Sequence, residues 1–289
     1  MFISDKIKSI FITLTLLIFV GSCVKPEEET KTTETGEKAA EAVKTPNIKG
    51  EEVTYTSNGV TFKGYLVYDE SIEGKRPGVL VVHEWWGLND YARRRTNMLA
   101  ELGYTALALD MYGEAKQAAN PDEAGKMSGM VMGNLDDAQA RFEAAKQLLS
   151  NQQTVDPEHI AAIGYCFGGA VVLNMALRGV DLDGVASFHG ILPTTAPATP
   201  AEVKANVLVF HGADDQFVSK EQVDQFKDVM KNANANSEVI VYPNAKHSFT
   251  VAEADEKAKE FGIPLGYNAD ADKDSWEKLQ GFFKKIFEK

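Results

Sequence analysis

The chain has 289 residues, 44% of them hydrophobic, and a formal net charge of -12. That length supports one large domain with a substantial core. The acidic balance excludes nucleic acid as a partner, because phosphate backbones require a concentrated basic surface. The one arginine cluster, Arg93 to Arg95, reads as a solvated helix face.

At the N-terminus, "MFISDKIKSIFITLTLLIFVGSC" places Lys6 and Lys8 ahead of an apolar run from Ile10 to Val20, with small residues before Cys23. The run is too short to span a bilayer comfortably and has the dimensions of a signal-peptide core. "VGSC" resembles the bacterial lipoprotein signal, in which the cysteine is diacylated and becomes the mature N-terminus. The resemblance implies a signal peptide over 1–22 and a lipid anchor at Cys23 that holds the protein to a membrane. It places the protein in the bacterial cell envelope, facing the periplasm or the surface. Several acyl chains on one residue anchor far more firmly than one.

The chain has two cysteines, so lipidation of Cys23 leaves Cys166 as a lone exported thiol with no disulfide open to it. Such a thiol risks oxidation, which favours a chemical role for Cys166 over a packing role. Residues 23–52 hold almost no large apolar side chains. They cannot bury enough surface to offset the entropy of ordering, and a disordered tether is expected.

From Val53 the pattern changes, and a single domain is expected over 53–289. "VTYTSNGVTFKGYLVYD" predicts two strands around an Asn58-Gly59 turn. "GVLVVHE" from Gly78 is a continuous apolar run, as in a strand buried on both faces. "DYARRRTNMLAELGY" predicts a helix ended by Gly103, and "TALALDMYG" another buried strand. The helix "LDDAQARFEAAKQLLS" from Leu135 is amphipathic. Ile160 to Tyr165 is a strand followed by a helix from Phe167 to Arg178. "GVASFHG", "NVLVFHGADD" and "EVIVYPN" are further strands, with a helix from Lys220 between the last two, and "DKDSWEKLQGFFKKIFEK" closes the chain as a helix. Alternation over this length predicts an α/β fold: a mostly parallel sheet of about eight strands with helices on both faces and an antiparallel edge.

Within that frame, Gly164-Tyr165-Cys166-Phe167-Gly168 has the layout of G-x-S-x-G, the nucleophile elbow of α/β-hydrolases, with sulfur in place of the serine oxygen. A thiol is mostly protonated at neutral pH, so a nucleophilic Cys166 needs a base. On this fold the chain order is nucleophile, acid, histidine. "HGADDQFV" offers Asp214 and Asp215 as the acid, and only His247 of the five histidines follows them. His159 is expected to be exposed, and His83, His189 and His211 lie at strand ends. His189 and His211 are expected to make structural hydrogen bonds. His83-Glu84 could open a zinc H-E-x-x-H motif, but Gly87 stands where the second histidine is needed, so no metal is expected. The loop after that strand supplies one oxyanion-hole amide on this fold and the residue after the nucleophile the other, which assigns the N–H groups of Trp85 and Phe167.

Taken in order, "HEWWG", "DMYG", "GYCFGG", "GADDQFV" and "HSF" resemble the dienelactone hydrolase family from roughly Val53 to the C-terminus. The resemblance implies a Cys166–His247–Asp215 triad, with Asp215 rather than Asp214 as the acid. It also implies that Glu84 holds the resting thiol and takes part in forming the thiolate. Family enzymes that open the dienelactone ring carry two arginines; the matching positions here are Glu114 and Val251, which cannot replace a guanidinium fork on a carboxylate. The expectation is therefore a hydrolase that cleaves a small ester or lactone other than dienelactone through a cysteine thioester, as a monomer, with no cofactor. Its rival is a non-catalytic ligand-binding lipoprotein that has kept the fold. "NPDEAGKMSGMVMGN", Asn120 to Asn134, falls where a cap would cover the site, and Met127, Met130 and Met132 are expected to pack in the core.

Overall fold

The computed structural model describes residues 45–196 and 202–288. The expected signal peptide, Cys23 and most of the expected tether lie outside the described residues. The strands are β1 (Ile48–Ser57), β2 (Val60–Asp69), β3 (Arg76–Val82), β4 (Thr105–Leu109), β5 (Val155–Tyr165), β6 (Gly184–Phe188), β7 (Asn206–Gly212) and β8 (Ser237–Tyr242). The helices are α1 (Asp90–Glu101), α2 (Pro121–Met132), α3 (Leu135–Ser150), α4 (Phe167–Leu177), α5 (Lys220–Asn232), α6 (Ala254–Phe261) and α7 (Ala269–Phe287).

The strands form one sheet in the order β1-β2-β4-β3-β5-β6-β7-β8. β1 and β2 pair antiparallel, as do β2 and β4, and every pair from β3–β4 onward is parallel. The hairpin turns at Asn58 and Gly59, both with positive φ (49° and 76°), the pair of angles a tight two-residue turn between twisted strands requires. Continuous apolar strands result from burial on both faces. Leu80 and Val82 of β3 enter the core under α3, α4 and α5, while Val79 and Val81 enter the core under α1, α6 and α7.

Several elements differ from the sequence reading. β5 begins at Val155 rather than Ile160, because Val155 and Asp156 pair with Arg76 and Pro77 of β3. β1 begins at Ile48 rather than Val53, because "IKGEE" pairs with β2 through its backbone while its side chains stay largely exposed. An edge strand needs no apolar alternation to form those bonds. α2 and α6 are helices where none was expected. The arginine cluster is not uniformly solvated. Arg95 is buried, donates 2.7 Å from Nη2 to the Thr250 carbonyl and pairs with Asp272, its guanidinium lying over the rings of Tyr91 and Trp276. No described helix is long and apolar enough to cross a membrane.

Candidate active site

Cys166 stands at the junction of β5 and α4 with φ 54° and ψ -115°. This is a strained conformation for a residue bearing a Cβ, and such strain persists only where the surroundings over-determine it. The surroundings here are glycines. A Cβ on Gly164 would lie 2.0 Å from the Gly168 carbonyl oxygen, and one on Gly168 would lie 2.3 Å from the Val82 carbonyl oxygen. The Cys166 N–H donates to the Phe188 carbonyl at 3.0 Å, locking the elbow to β6. The thiol is 8% exposed, on the wall of a cavity.

His247 lies in the loop after β8, and Asp215 in the loop after β7. His247 Nδ1 is 2.8 Å from Asp215 Oδ2, and Asp215 Oδ1 accepts the Phe217 N–H at 2.8 Å, so both carboxylate oxygens are engaged. Cys166 lies close enough to His247 for its charge to act on the imidazole, and both line the same cavity. Burial opposes a charge on His247, but Cys166 and Asp215 outweigh it and push the imidazole up to about 10. An opposite charge in a dry site stabilises the protonated form in this way. Asp214 is exposed and uses its N–H on the Ala245 carbonyl, which leaves Asp215 as the acid that meets His247.

Glu84 is buried, and its Oε1 accepts the Ser248 hydroxyl at 3.0 Å. Its hydrogen bond therefore falls on the residue beside His247. Burial holds the Glu84 carboxyl above its usual range. Ser248, whose φ of 59° turns its hydroxyl to Glu84, escaped the sequence reading because it lies next to the histidine that explains the motif. Trp85 and Phe167 line the same cavity as Cys166, and no acceptor among the described residues takes either backbone N–H.

The other histidines have separate tasks. His83 Nε2 accepts the Met111 N–H and its Nδ1 lies 2.6 Å from the Glu84 carbonyl, so burial keeps it neutral and it fixes the backbone before Trp85. His189 Nε2 meets Thr250 Oγ1 at 2.7 Å, and its ring stands edge-on to His247. Burial and the charge of His247 keep it well below the usual histidine range. His211 is buried, but its Nδ1 has no partner among the described residues, so the hydrogen bond expected there is missing. His159 is half-buried rather than exposed, 3.4 Å from Asp183. No group of three or more His, Cys, Asp or Glu among the described residues is arranged to hold a metal ion.

A cavity of 390 Å³ opens on Cys166 and His247. α2 contributes Gly125, Ser128, Gly129 and Met132 to one wall. Trp85, Phe167, Ala170, Ile191, Phe217 and Leu265 complete the lining. Among the described residues, no lysine, arginine or carboxylate lines it. Glu114 is exposed and paired with Lys63 at 2.8 Å, and Val251 is buried in the core, so neither faces the cavity. Of the three methionines expected in the core, Met132 faces the cavity and Met130 is 70% exposed, because two glycines in α2 leave the helix too few apolar side chains to sink it.

The strand order, the strained elbow after β5 and the acid and histidine after β7 and β8 define an α/β-hydrolase. The dienelactone hydrolase family profile matches residues 62–287. The chain belongs to that family and is a carboxylic ester hydrolase. It is 31% identical over 241 residues to Protein usf of Aquifex pyrophilus, covering 81% of this chain and 98% of that one. Among solved structures it resembles a dienelactone hydrolase-like promiscuous phosphotriesterase from metagenomic libraries, with a TM-score of 0.78, 36% identity, and coverage of 83% of this chain and 99% of the other. A likeness to esterase 2 of Thermogutta terrifontis, with a TM-score of 0.57, 18% identity, and coverage of 82% and 94%, extends to the fold.

Proposed function

We propose that this hydrolase cleaves an uncharged ester or lactone through a thioester on Cys166. The observation that carries the reading is the Asp215–His247 hydrogen bond beside Cys166, on a cavity whose lining among the described residues holds no lysine, arginine or carboxylate. The Cys166 thiolate attacks the ester carbonyl and forms the C–S bond. The Trp85 and Phe167 N–H groups receive the developing oxyanion. Collapse breaks the C–O bond, and the His247 imidazolium gives its proton to the departing alcohol oxygen. His247 then takes a proton from water, which attacks the thioester; collapse releases the acid and returns the thiolate. Asp215 fixes the tautomer and orientation of His247 throughout.

A ligand-binding lipoprotein would have no use for a strained cysteine or for a buried histidine held charged beside it. The anchor at Cys23 and the envelope location implied by "VGSC" belong to the same proposal: an ester hydrolase held at a membrane. Mass spectrometry of the protein mixed with an activated ester tests the chemistry. An acyl adduct on Cys166 that decays with turnover is expected, and hydrolysis in Cys166→Ala at the wild-type rate would refute it.

A further inference from the structure

We propose that α2 is the wall against which the acyl group of the substrate lies, and that Gly125 and Gly129 set how long or broad that group can be. This rests on the ester-hydrolase reading above. The directions of the reaction divide the cavity. His247 must reach the leaving oxygen, and it stands beside Phe217, with ring centroids 4.9 Å apart, and bridges to Leu265. The alcohol therefore departs on the Phe217–Leu265 side. The acyl group, which stays on Cys166, is left with the rest of the lining, in which Trp85, Phe167 and Met132 of α2 pack with one core cluster while Leu265 packs with the other.

That face of α2 is Gly125, Ser128, Gly129 and Met132, spaced i, i+3, i+4 and i+7, the period that keeps side chains on one side of a helix. From the first to the last the rise is about 10 Å, enough for an extended apolar chain. Ser128 turns its hydroxyl back onto the Ala124 carbonyl at 2.7 Å, so its donor is spent within the helix. A Cβ built on Gly125 or on Gly129 meets no atom within 4 Å, unlike those on Gly164 and Gly168 at the elbow, which collide with backbone. The two α2 glycines therefore do not serve close packing between elements. What they leave is room on the cavity face. The substrate class is an uncharged ester with an extended or aromatic apolar acyl group, and larger residues at 125 or 129 would shorten the group accepted.

The test is a series of p-nitrophenyl esters from acetate to octanoate, read as kcat/KM for the full-length protein and for Gly129→Ala, Gly129→Leu and Gly125→Leu. Leucine favours a helix over glycine, and thermal melts check that each variant folds. The octanoate-to-acetate ratio should fall about threefold in Gly129→Ala and at least tenfold in Gly129→Leu. Met130→Leu, on the exposed face of the same helix, should leave the ratio unchanged. A uniform loss at all chain lengths, or no change in the ratio, would overturn the proposal. Binding of the uncharged dye N-phenyl-1-naphthylamine reads the cavity without hydrolysis and should weaken in the same order. Absence of esterase activity in every protein, with the dye still weakened by Gly129→Leu, would reject the thioester reading and retain the wall. Equal dye binding in all would reject the wall alone.

Discussion

The Ser248 hydroxyl donates to Glu84 Oε1 at 3.0 Å across 164 positions of sequence, with both residues buried. This contact ties the loop that carries His247 to the strand end that carries the Trp85 amide. It also leaves a carboxyl group inside the protein, where its charge is disfavoured.

Burial raises the Glu84 carboxyl, so the cost of ionising it is absent below the ordinary glutamate value of about 4.3 and grows as pH rises through the raised folded value. Glu84→Gln keeps the shape and an acceptor for Ser248 while removing that cost. The variant should melt at a higher temperature than wild type at pH 7–8, the difference shrinking towards pH 4, and should lose activity, a trade common at functional sites. A variant less stable than wild type at pH 8 would show that the Glu84 charge is a net stabiliser.

The parallel part of the sheet was legible because its strands carry apolar runs set between helices, as in "GVLVV" of β3 and "TALAL" of β4, and the elbow because side chains at its glycines would collide with backbone. What stayed hidden had weak patterning. α6, "ADEKAKEF", buries only Ala254 and has no apolar stripe. The start of β1 is polar because an edge strand is held by its backbone. Arg95 looked like its neighbours Arg93 and Arg94, yet its partners Thr250 and Asp272 come from far along the chain. Chain order singled out His247 and the family resemblance chose Asp215 over Asp214, but Ile191 on the cavity rim carried no signal at all.

Gly168 tests the elbow. An alanine Cβ would stand 2.3 Å from the Val82 carbonyl oxygen, and backbone cannot step aside as a flexible side chain can. Gly168→Ala should cost about 1–3 kcal/mol or more, as overpacking does, measured from the urea midpoint. It should also lower activity by displacing Cys166. Gly125→Ala, with open space at its Cβ, should cost nothing.

The charge state of His247 predicts the alkaline limb of the pH profile. In the proposed mechanism the imidazolium is the acid that protonates the leaving alcohol, and with its value pushed up to about 10 that form persists through neutral pH. kcat/KM should therefore fall as pH rises through about 10. Asp215→Asn removes one of the groups that raise it, so the limb should move to lower pH and the rate should drop. A limb that stays in place in Asp215→Asn would mean that Asp215 does not act on His247.

The proposed membrane anchoring rests on one residue, Cys23. If Cys23 carries the lipid implied by "VGS" before it, Cys23→Ser should move the protein from the membrane fraction to the soluble fraction of the expressing cells. Equal retention of both forms would remove the lipoprotein assignment while leaving the catalytic proposal intact.

Substrate charge follows from the cavity lining. A carboxylate entering it would leave water for walls of Trp85, Phe167, Ile191 and α2, with no lysine or arginine to receive it. Losing a charge-assisted hydrogen bond costs about 1.5–3 kcal/mol, on the order of tenfold to a hundredfold in rate. In matched pairs measured at pH 7, an ester bearing a free carboxylate should show kcat/KM lower by that factor than its neutral methyl-capped partner. Supplying a cation should narrow the gap. Val251 is the wrong place for it, because that side chain is 2% exposed within the core, and an arginine there would bury an unpaired charge. Ile191 lines the cavity and is 39% exposed, so Ile191→Arg can keep its head in water at the rim and still meet the substrate. A wild-type preference for the anionic ester would show that a group outside this lining binds carboxylates.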